Sequence, residues 1–174
     1  MKMLVRIALT VVCSVVSFPV FAQTVAFSDD ARAGLISAGA FVGIEFENVD
    51  HALLLGGDGR IGFGTVNLEL NPRYTFRPDD DGSMQQLDVN LITHHKLLKP
   101  GRVRPFSGVG LGINRRLFDL ADSETNVGLN LVSGARIVMR SGAAYEPFFQ
   151  AQYTIFNEAV NSFTLVVGTS FSFR

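Results

Sequence analysis

Val66-Asn67-Leu68-Glu69-Leu70-Asn71-Pro72-Arg73-Tyr74-Thr75-Phe76-Arg77 is two interleaved series. The even positions are Val66, Leu68, Leu70, Pro72, Tyr74 and Phe76; the odd ones are Asn67, Glu69, Asn71, Arg73, Thr75 and Arg77. Successive side chains of a β-strand point to opposite faces, so this segment has one wholly apolar face and one wholly polar face.

The pattern recurs on both sides of it. Upstream, Ile36, Ala38, Ala40, Val42, Ile44 and Phe46 share a parity, with Glu45 on the other. Downstream, Leu87, Val89 and Leu91 alternate with Gln86, Asp88 and Asn90, and Val109, Leu111 and Ile113 with Gly108, Gly110, Gly112 and Asn114. Val127, Leu129, Leu131, Ala135, Ile137 and Met139 oppose Asn126, Gly128, Asn130, Gly134, Arg136 and Arg140. Tyr145, Phe149, Ala151, Tyr153 and Ile155 oppose Glu146, Gln150, Gln152 and Thr154. The last series sets Phe163, Leu165, Val167, Phe171 and Phe173 against Thr164, Gly168, Ser170 and Ser172.

Soluble sandwiches alternate too, so strand length decides. These segments run about 11 to 14 residues, whereas soluble strands have a mode of ~5–6 and a tilted membrane strand needs ~9–11. The connectors point the same way. Lys99-Pro100-Gly101 and Ser141-Gly142 read as tight turns, while Arg77–Ser83 and Leu117–Thr125 read as longer, acidic loops. Short turns at one end and longer polar loops at the other belong to a membrane barrel.

An open sheet edge in lipid would leave backbone N–H and C=O groups unpaired, so the sheet must close, and bacterial single-chain barrels close on even strand numbers. Seven strands are explicit. The eighth is expected within Val49–Gly56, turning at Asp58-Gly59 into the next, with a bulge near Gly64-Thr65 to reconcile Ile61 and Phe63 with the opposite parity of Val66 and Leu68. The fold class is therefore all-β, a closed antiparallel eight-stranded transmembrane β-barrel.

Composition agrees. The 174 residues are 47% hydrophobic and 18% charged, a balance that excludes disorder. Seventeen glycines and fifteen phenylalanines favour strands and turns, and the net charge of −1 gives no field that would gather nucleic acid. Residues 1–22 read as a cleaved signal peptide: Lys2 and Arg6, an apolar run from Ile7 to Val16, then Val20-Phe21-Ala22 before Gln23. Residues 23–174 are the barrel domain. Cys13 lies in the leader behind Val11-Val12, where a lipidated cysteine wants small residues. Without Lys2 and Arg6 the mature chain has 13 basic against 16 acidic residues and no thiol chemistry.

Arg104-Pro105-Phe106-Ser107-Gly108-Val109-Gly110-Leu111-Gly112-Ile113, Asn126 through Ala135, and the alternating strand Phe163–Phe173 together resemble the small OmpA/OmpX-type, opacity-like outer-membrane barrels over about residues 34–174. The resemblance implies a Gram-negative outer membrane and a C-terminal strand read by the barrel-assembly machinery. Here Arg174 follows the terminal aromatic, a departure from the family's pattern.

Glu45, Glu69, Arg73, Asp88, Arg136 and Glu146 share the polar parity and are expected inside the barrel. An ion path or proton relay is one reading. Mutual pairing is preferred, because charges removed from water persist only when paired. In particular, Arg73 and Arg136 should each find a carboxylate among those four acids. His94 and His95 are adjacent and so face opposite ways; with His51 the only other histidine, no metal cluster is expected. Barrels that deacylate lipid A resemble this chain in fold and carry a His-x-Ser-Asn stretch on the penultimate strand, where Gln152-Tyr153-Thr154-Ile155 stands here. Gln152 cannot serve as a general base, and Glu158 has no histidine to orient. The Gly108-x-Gly110-x-Gly112 run has no following helix to make it a phosphate loop and reads as room for Phe106, Phe148 and Arg136.

No catalytic, cofactor-binding or metal-binding residue is therefore assigned. The expected role is a monomeric structural or surface-interaction protein whose loops meet lipopolysaccharide, outer-membrane lipids or other surface partners. A lipid-modifying enzyme and a narrow pore stand as alternatives. By loop length, Lys99–Arg102 and Arg140–Ala144 are assigned to the periplasm, and Arg77–Ser83, Leu117–Thr125 and Phe156–Asn161 to the outside. The outer set carries Asp79, Asp80, Asp81, Asp119, Asp122, Glu124 and Glu158 against Arg77.

Overall fold

A computed structural model of the protein describes residues 36–47, 50–63, 68–80, 82–95, 102–118, 122–139, 145–157 and 159–173. The signal peptide expected over residues 1–22 lies outside these. Eight strands follow in chain order: β1 Ile36–Glu47, β2 Asp50–Phe63, β3 Leu68–Asp79, β4 Gly82–His94, β5 Val103–Phe118, β6 Glu124–Ile137, β7 Tyr145–Phe156 and β8 Ser162–Phe173. Each pairs antiparallel with the next, and β1 closes on β8 from Ile36↔Phe173 to Glu47↔Ser162. The closed antiparallel eight-stranded barrel is the expected fold, and the ring leaves no unpaired edge.

The strands are 12 to 16 residues long. At a rise of ~3.4 Å per residue and a tilt near 40°, the shorter ones span about 30 Å, enough to cross the hydrocarbon.

β2 departs from expectation. Asp58-Gly59 is not a turn: the strand runs unbroken through it, with Asp58 opposite Gly39 and Gly59 opposite Ala38. Leu53, Leu55, Ile61 and Phe63 all face outward on one parity, and Gly57 and Gly59 occupy the same parity between them without a side chain to mark it. The bulge expected near Gly64-Thr65 falls on residues 64–67, outside the described residues. β2 ends at Phe63 opposite Leu68, the first residue of β3, so a hairpin connection separates the two series.

Pro72 sits in β3 across from this stretch. The β2–β3 register is explicit from Leu55↔Phe76 to Asp58↔Arg73 and resumes at Ile61↔Leu70. Proline has no N–H to give the ladder there. The side-chain amide of its neighbour Asn71 instead donates to the Gly59 carbonyl at 2.8 Å.

The loop lengths also differ from expectation. Alternation continues through Arg77 and Met84, both buried, so β3 and β4 remain paired to Asp79↔Gly82 and only residues 80–81 connect them. Gly82 has φ +150°, and a Cβ there would strike the backbone of Leu117 and Phe118. The acidic, glycine-containing composition of this stretch looked like a loop; it belongs to strand ends and a tight reversal. The connections at this end are 48–49, 80–81, 119–123 and 157–161, and those at the other end are 64–67, 95–102 and 138–144. The grouping of connections by end is as expected. The contrast of long outer and short inner connections is not.

Candidate functional site

The barrel offers two surfaces, an outer wall and a lumen, made by opposite faces of the same eight strands. The outer wall is apolar and open. Leu53 is 72% exposed, Leu111 62% and Val42 60%, and Leu55, Leu87, Val109, Ile113, Phe149 and Val167 are exposed with them. Aromatic residues mark both margins: Phe46 meets Phe163 at 6.2 Å near the β1–β2 connection, and Phe63, Tyr145, Phe171 and Phe173 stand exposed near the start of β1. A belt of aliphatic side chains between aromatic rims suits hydrocarbon and not water.

The lumen is buried, polar and filled by side chains, with Arg60, Phe106, Met84, Ile92, Gln150 and Glu45 among its most enclosed groups. It is organised in three levels. At the level of the 80–81 connection, Arg77 reaches Glu45 at 2.7 Å, Glu47 at 3.3 Å and Asp79 at 2.9 Å. Arg116 from β5 adds an ion pair to Glu47. One guanidinium thus crosses from β3 to two carboxylates of β1, a charge-assisted brace between strands that are not neighbours.

The middle level is built on Asp88, which has no exposed surface. Its carboxylate accepts from Gln86 Nε2 at 2.8 Å, Asn130 Nδ2 at 2.9 Å and Gln152 Nε2 at 3.1 Å. Asn130 Nδ2 also lies 3.1 Å from Asn90 Oδ1, and Thr154 Oγ1 donates to Asn130 Oδ1 at 3.0 Å. These contacts join β4, β6 and β7 across the lumen. Gly110 and Gly112 on β5 make the room, since a Cβ on Gly112 would collide with Asp88 and one on Gly110 with Asn90.

The third level, toward the start of β1, holds Arg60, Asp58, Glu69 and Arg136. Arg60 Nε donates to Asp58 Oδ2 at 2.5 Å, and its Nη1 is 3.6 Å from Glu69. Arg136 pairs directly with the same Glu69 carboxylate. The Arg60 guanidinium lies 4.6 Å from the Phe148 ring centroid and 6.0 Å from that of Phe106, so aromatic faces cover much of the cation. His94 Nε2 is 3.4 Å from Glu69 Oε2.

The expectations about charge now separate. Glu45, Glu69, Arg73, Asp88 and Arg136 are buried in the lumen as anticipated. Arg136 finds Glu69, whereas Arg73 stands across the ladder from Asp58 and Asp88 with its guanidinium 4.1 Å over Phe41. Asp88 is held chiefly by amides, and Glu45 by Arg77. Sequence reading missed Arg60, Asp58 and Arg77 as interior groups, the first two because a turn was placed on them and the third because it was assigned to a loop. The unbroken parity of Leu53, Leu55, Ile61 and Phe63 was the signal that could have found Arg60.

His94 and His95 face opposite ways, His94 toward Glu69 and His95 toward the hydroxyl of Ser107 at 2.8 Å on the outer wall. Among the described residues no group of three His, Cys, Asp or Glu side chains could hold a metal ion. Gln152 and Thr154 are buried in the Asp88 network, out of reach of any lipid. The Gly108–Gly112 run accommodates Ile92, Asn90 and Asp88, not Phe106, Phe148 and Arg136. The inward phenylalanines find other glycines directly across the ladder: Phe41 opposite Gly56 and Gly168, Phe106 opposite Gly134, Phe148 opposite Gly168, and Phe156 opposite Gly128.

An apolar belt around a closed ring with a polar, side-chain-filled interior defines a membrane-spanning barrel of the small eight-stranded outer-membrane type. No protein-family model matches the sequence, and no curated protein matches it. Solved structures do match the fold. The N-terminal β-barrel domain of Pseudomonas aeruginosa OprF aligns with a TM-score of 0.61 at 20% identity over 81% of this chain and 98% of that one. Neisserial surface protein A (NspA) aligns at 0.60 with 18% identity over 80% and 96%. Ail, the attachment invasion locus protein of Yersinia pestis, aligns at 0.54 with 16% identity over 81% and 99%. A de novo designed transmembrane β-barrel reaches 0.57 at 16% identity. A shape shared with a designed barrel at such identities is a shared architecture.

Proposed function

We propose that the protein resides in the outer membrane of a Gram-negative bacterium, is exported with removal of residues 1–22, and serves as a structural and surface-interaction barrel. The observation that carries this is the inversion of polarity: aliphatic side chains stand open on the wall, while Glu45, Asp88, Arg60 and Arg136 are buried in the lumen. Such a wall is stable only against lipid, and a lumen closed by ion pairs and amides leaves recognition to the rims. Assembly through the alternating β8 strand, ending at Phe173, fits insertion by the barrel-assembly machinery.

We place the end bearing connections 48–49, 80–81, 119–123 and 157–161 at the cell surface, with the β1 start and β8 end in the periplasm. Asp50, Asp79, Asp80, Asp122 and Glu124 are exposed at the surface end. Arg115 and Arg116 now join Arg77 there, so the rim is acidic but partly compensated. Ail has been solved in complex with the heparin analogue sucrose octasulfate. An acidic rim suits cationic partners, or lipopolysaccharide phosphates bridged by divalent cations, better than a bare polysulfate.

We assign no catalytic role, because the penultimate-strand groups Gln152 and Thr154 are enclosed. Incubating the purified barrel with lipopolysaccharide should release no acyl chains, and protease added to intact cells should cut within 119–123 and 157–161 but not within 95–102 or 138–144. Acyl release abolished by Thr154→Ala would establish the enzyme instead, and cleavage confined to 95–102 and 138–144 would invert the orientation.

A further inference from the structure

Hydroxyls break the apolar belt at a lone Thr169 on β8, between Val167 and Phe171, and at one cluster of three. On β4, β5 and β6, near the end where β1 begins, Thr93 pairs with Ser107 and Ser107 with Ser133. The three therefore stand side by side on the outer face. Leu91, Val109 and Leu131 lie beyond them on one side, and Val103 and Ile137, both exposed, on the other. This is an island of hydroxyls inside the belt. The ladder neighbours that flank the three are apolar, Leu68 of β3 opposite Thr93 and Ala151 of β7 opposite Ser133. His95, exposed, brings Nε2 to 2.8 Å from Ser107 Oγ.

That pair has two donors, one imidazole N–H and one hydroxyl O–H, and their mutual bond uses one of them. If Nε2 is protonated, the serine hydroxyl remains to donate; if Nδ1 is protonated, the serine donates to Nε2 and Nδ1–H remains. Either tautomer leaves one donor uncommitted by the pair. A hydroxyl facing hydrocarbon without a partner is costly, so the island calls for an acceptor from outside the wall. The adjoining connection reads His95-Lys96-Leu97-Leu98-Lys99-Pro100-Gly101-Arg102, three permanent cations and no acid, and Arg102 is exposed at the foot of β5. The surface-facing end, by contrast, exposes mostly carboxylates.

We infer that Thr93, Ser107, Ser133, His95 and Arg102 form a binding site for the phosphate headgroup of an anionic phospholipid seated against the outer wall at the foot of the barrel. The inference rests on the membrane-barrel reading. Hydroxyl, imidazole and guanidinium donors at the margin of an apolar wall match an oxyanion carried on an acyl-chain anchor, with the chains lying along Val109 and Leu131. A second copy of the chain is the poorer occupant. An isologous contact through this patch would bring Arg102 against its own duplicate.

The test uses the full chain in detergent, offered equal amounts of phosphatidylglycerol and phosphatidylcholine, with bound lipid read by native mass spectrometry. The native protein should retain phosphatidylglycerol several-fold over phosphatidylcholine. Ser107→Val and His95→Leu should each remove the preference, Ser107→Thr should restore it, and Thr125→Val, an outer hydroxyl at the opposite end, should leave it intact. Equal retention of the two lipids by the native protein, or a preference untouched by both variants, overturns the site. A dimer dissolved by Ser107→Val, without lipid preference, overturns it in favour of a second copy. The same samples are assayed for insertion into phosphatidylcholine vesicles by their β-sheet circular dichroism. Insertion without lipid preference sinks this inference alone, and failure to insert sinks the barrel reading beneath it.

Discussion

Along β6, Val127, Leu129 and Ile137 stand open on the wall, while Asn126, Asn130 and Arg136, one residue away from outward neighbours, are buried. In a water-soluble domain those roles would be exchanged. The difference teaches what each face demands. The wall needs hydrophobicity with little precision, since lipid conforms to any aliphatic surface. The lumen needs specific partners, because each polar group it encloses must find a hydrogen bond or an opposite charge. Substitutions should therefore be costly in different ways on the two faces.

The largest loss is expected in the lumen, at Glu69. Its removal as Glu69→Ala leaves Arg136 and Arg60 facing each other without their shared carboxylate, an uncompensated buried charge worth about 3–5 kcal/mol. Pairing it with Arg136→Leu should recover part of that loss, and a double-mutant cycle by urea titration in vesicles should give a coupling of about 0.5–3 kcal/mol. Additive losses would dissolve the distinction between a partner-specific lumen and an indifferent wall.

The wall comes next. Leu111→Arg and Leu129→Arg place a cation in the hydrocarbon and should each cost about 2–4 kcal/mol near the midplane. Equal tolerance of arginine at Leu111 and at a polar rim position such as Thr125 would mean that no lipid faces this belt. Smaller again is the packing between Phe106 and Gly134. A Cβ on residue 134 would stand 2.3 Å from the Phe149 carbonyl oxygen and 2.5 Å from Phe106 Cζ, so Gly134→Ala should cost about 1–3 kcal/mol by overpacking. The same methyl on the outer face should matter least. Gly59→Ala would approach Pro72 Cγ at 3.2 Å, and because this is strand and not a left-handed turn, the change should stay within about 0.5 kcal/mol. A loss of about 1–2 kcal/mol, the cost of forcing alanine into a left-handed conformation, would restore the turn at Asp58-Gly59.

The contrast between the faces also explains what could be read without coordinates. Seven strands were legible because an apolar wall writes itself into the sequence as a period of two. Phe46, Leu87 and Leu165 needed no partner to be recognised. β2 was harder because glycine is silent on the outward face at 57 and 59, and Asp-Gly is a strong hairpin signal. The polar parity told which charges lie inside, but not who meets whom. Glu69 meets Arg136 and Glu45 meets Arg77 inside the lumen, between strands that are not neighbours in the ring, and no local pattern encodes such pairs. Loop lengths misled because Arg77, Pro78 and Ser83 look like loop residues and yet lie in the ladder, Arg77 inward on its ion pairs and Pro78 opposite Ser83. The glycine–phenylalanine pairs became visible only once register was fixed.

The central claim is that one face of every strand touches lipid and the other is sealed inside. It is tested most directly by single cysteines placed one at a time from Asn126 to Arg136 in a Cys13→Ser background, Cys13 being the only native cysteine. Each is spin-labelled in the inserted protein and its collisions with oxygen and with a water-soluble nickel chelate are measured. Labels at 127, 129 and 131 should collide with oxygen and be shielded from the chelate, whereas labels at 126, 128 and 130 should be shielded from both, in strict alternation. Access of the chelate to 129 and 131, or loss of the two-residue period, would contradict the barrel in its membrane.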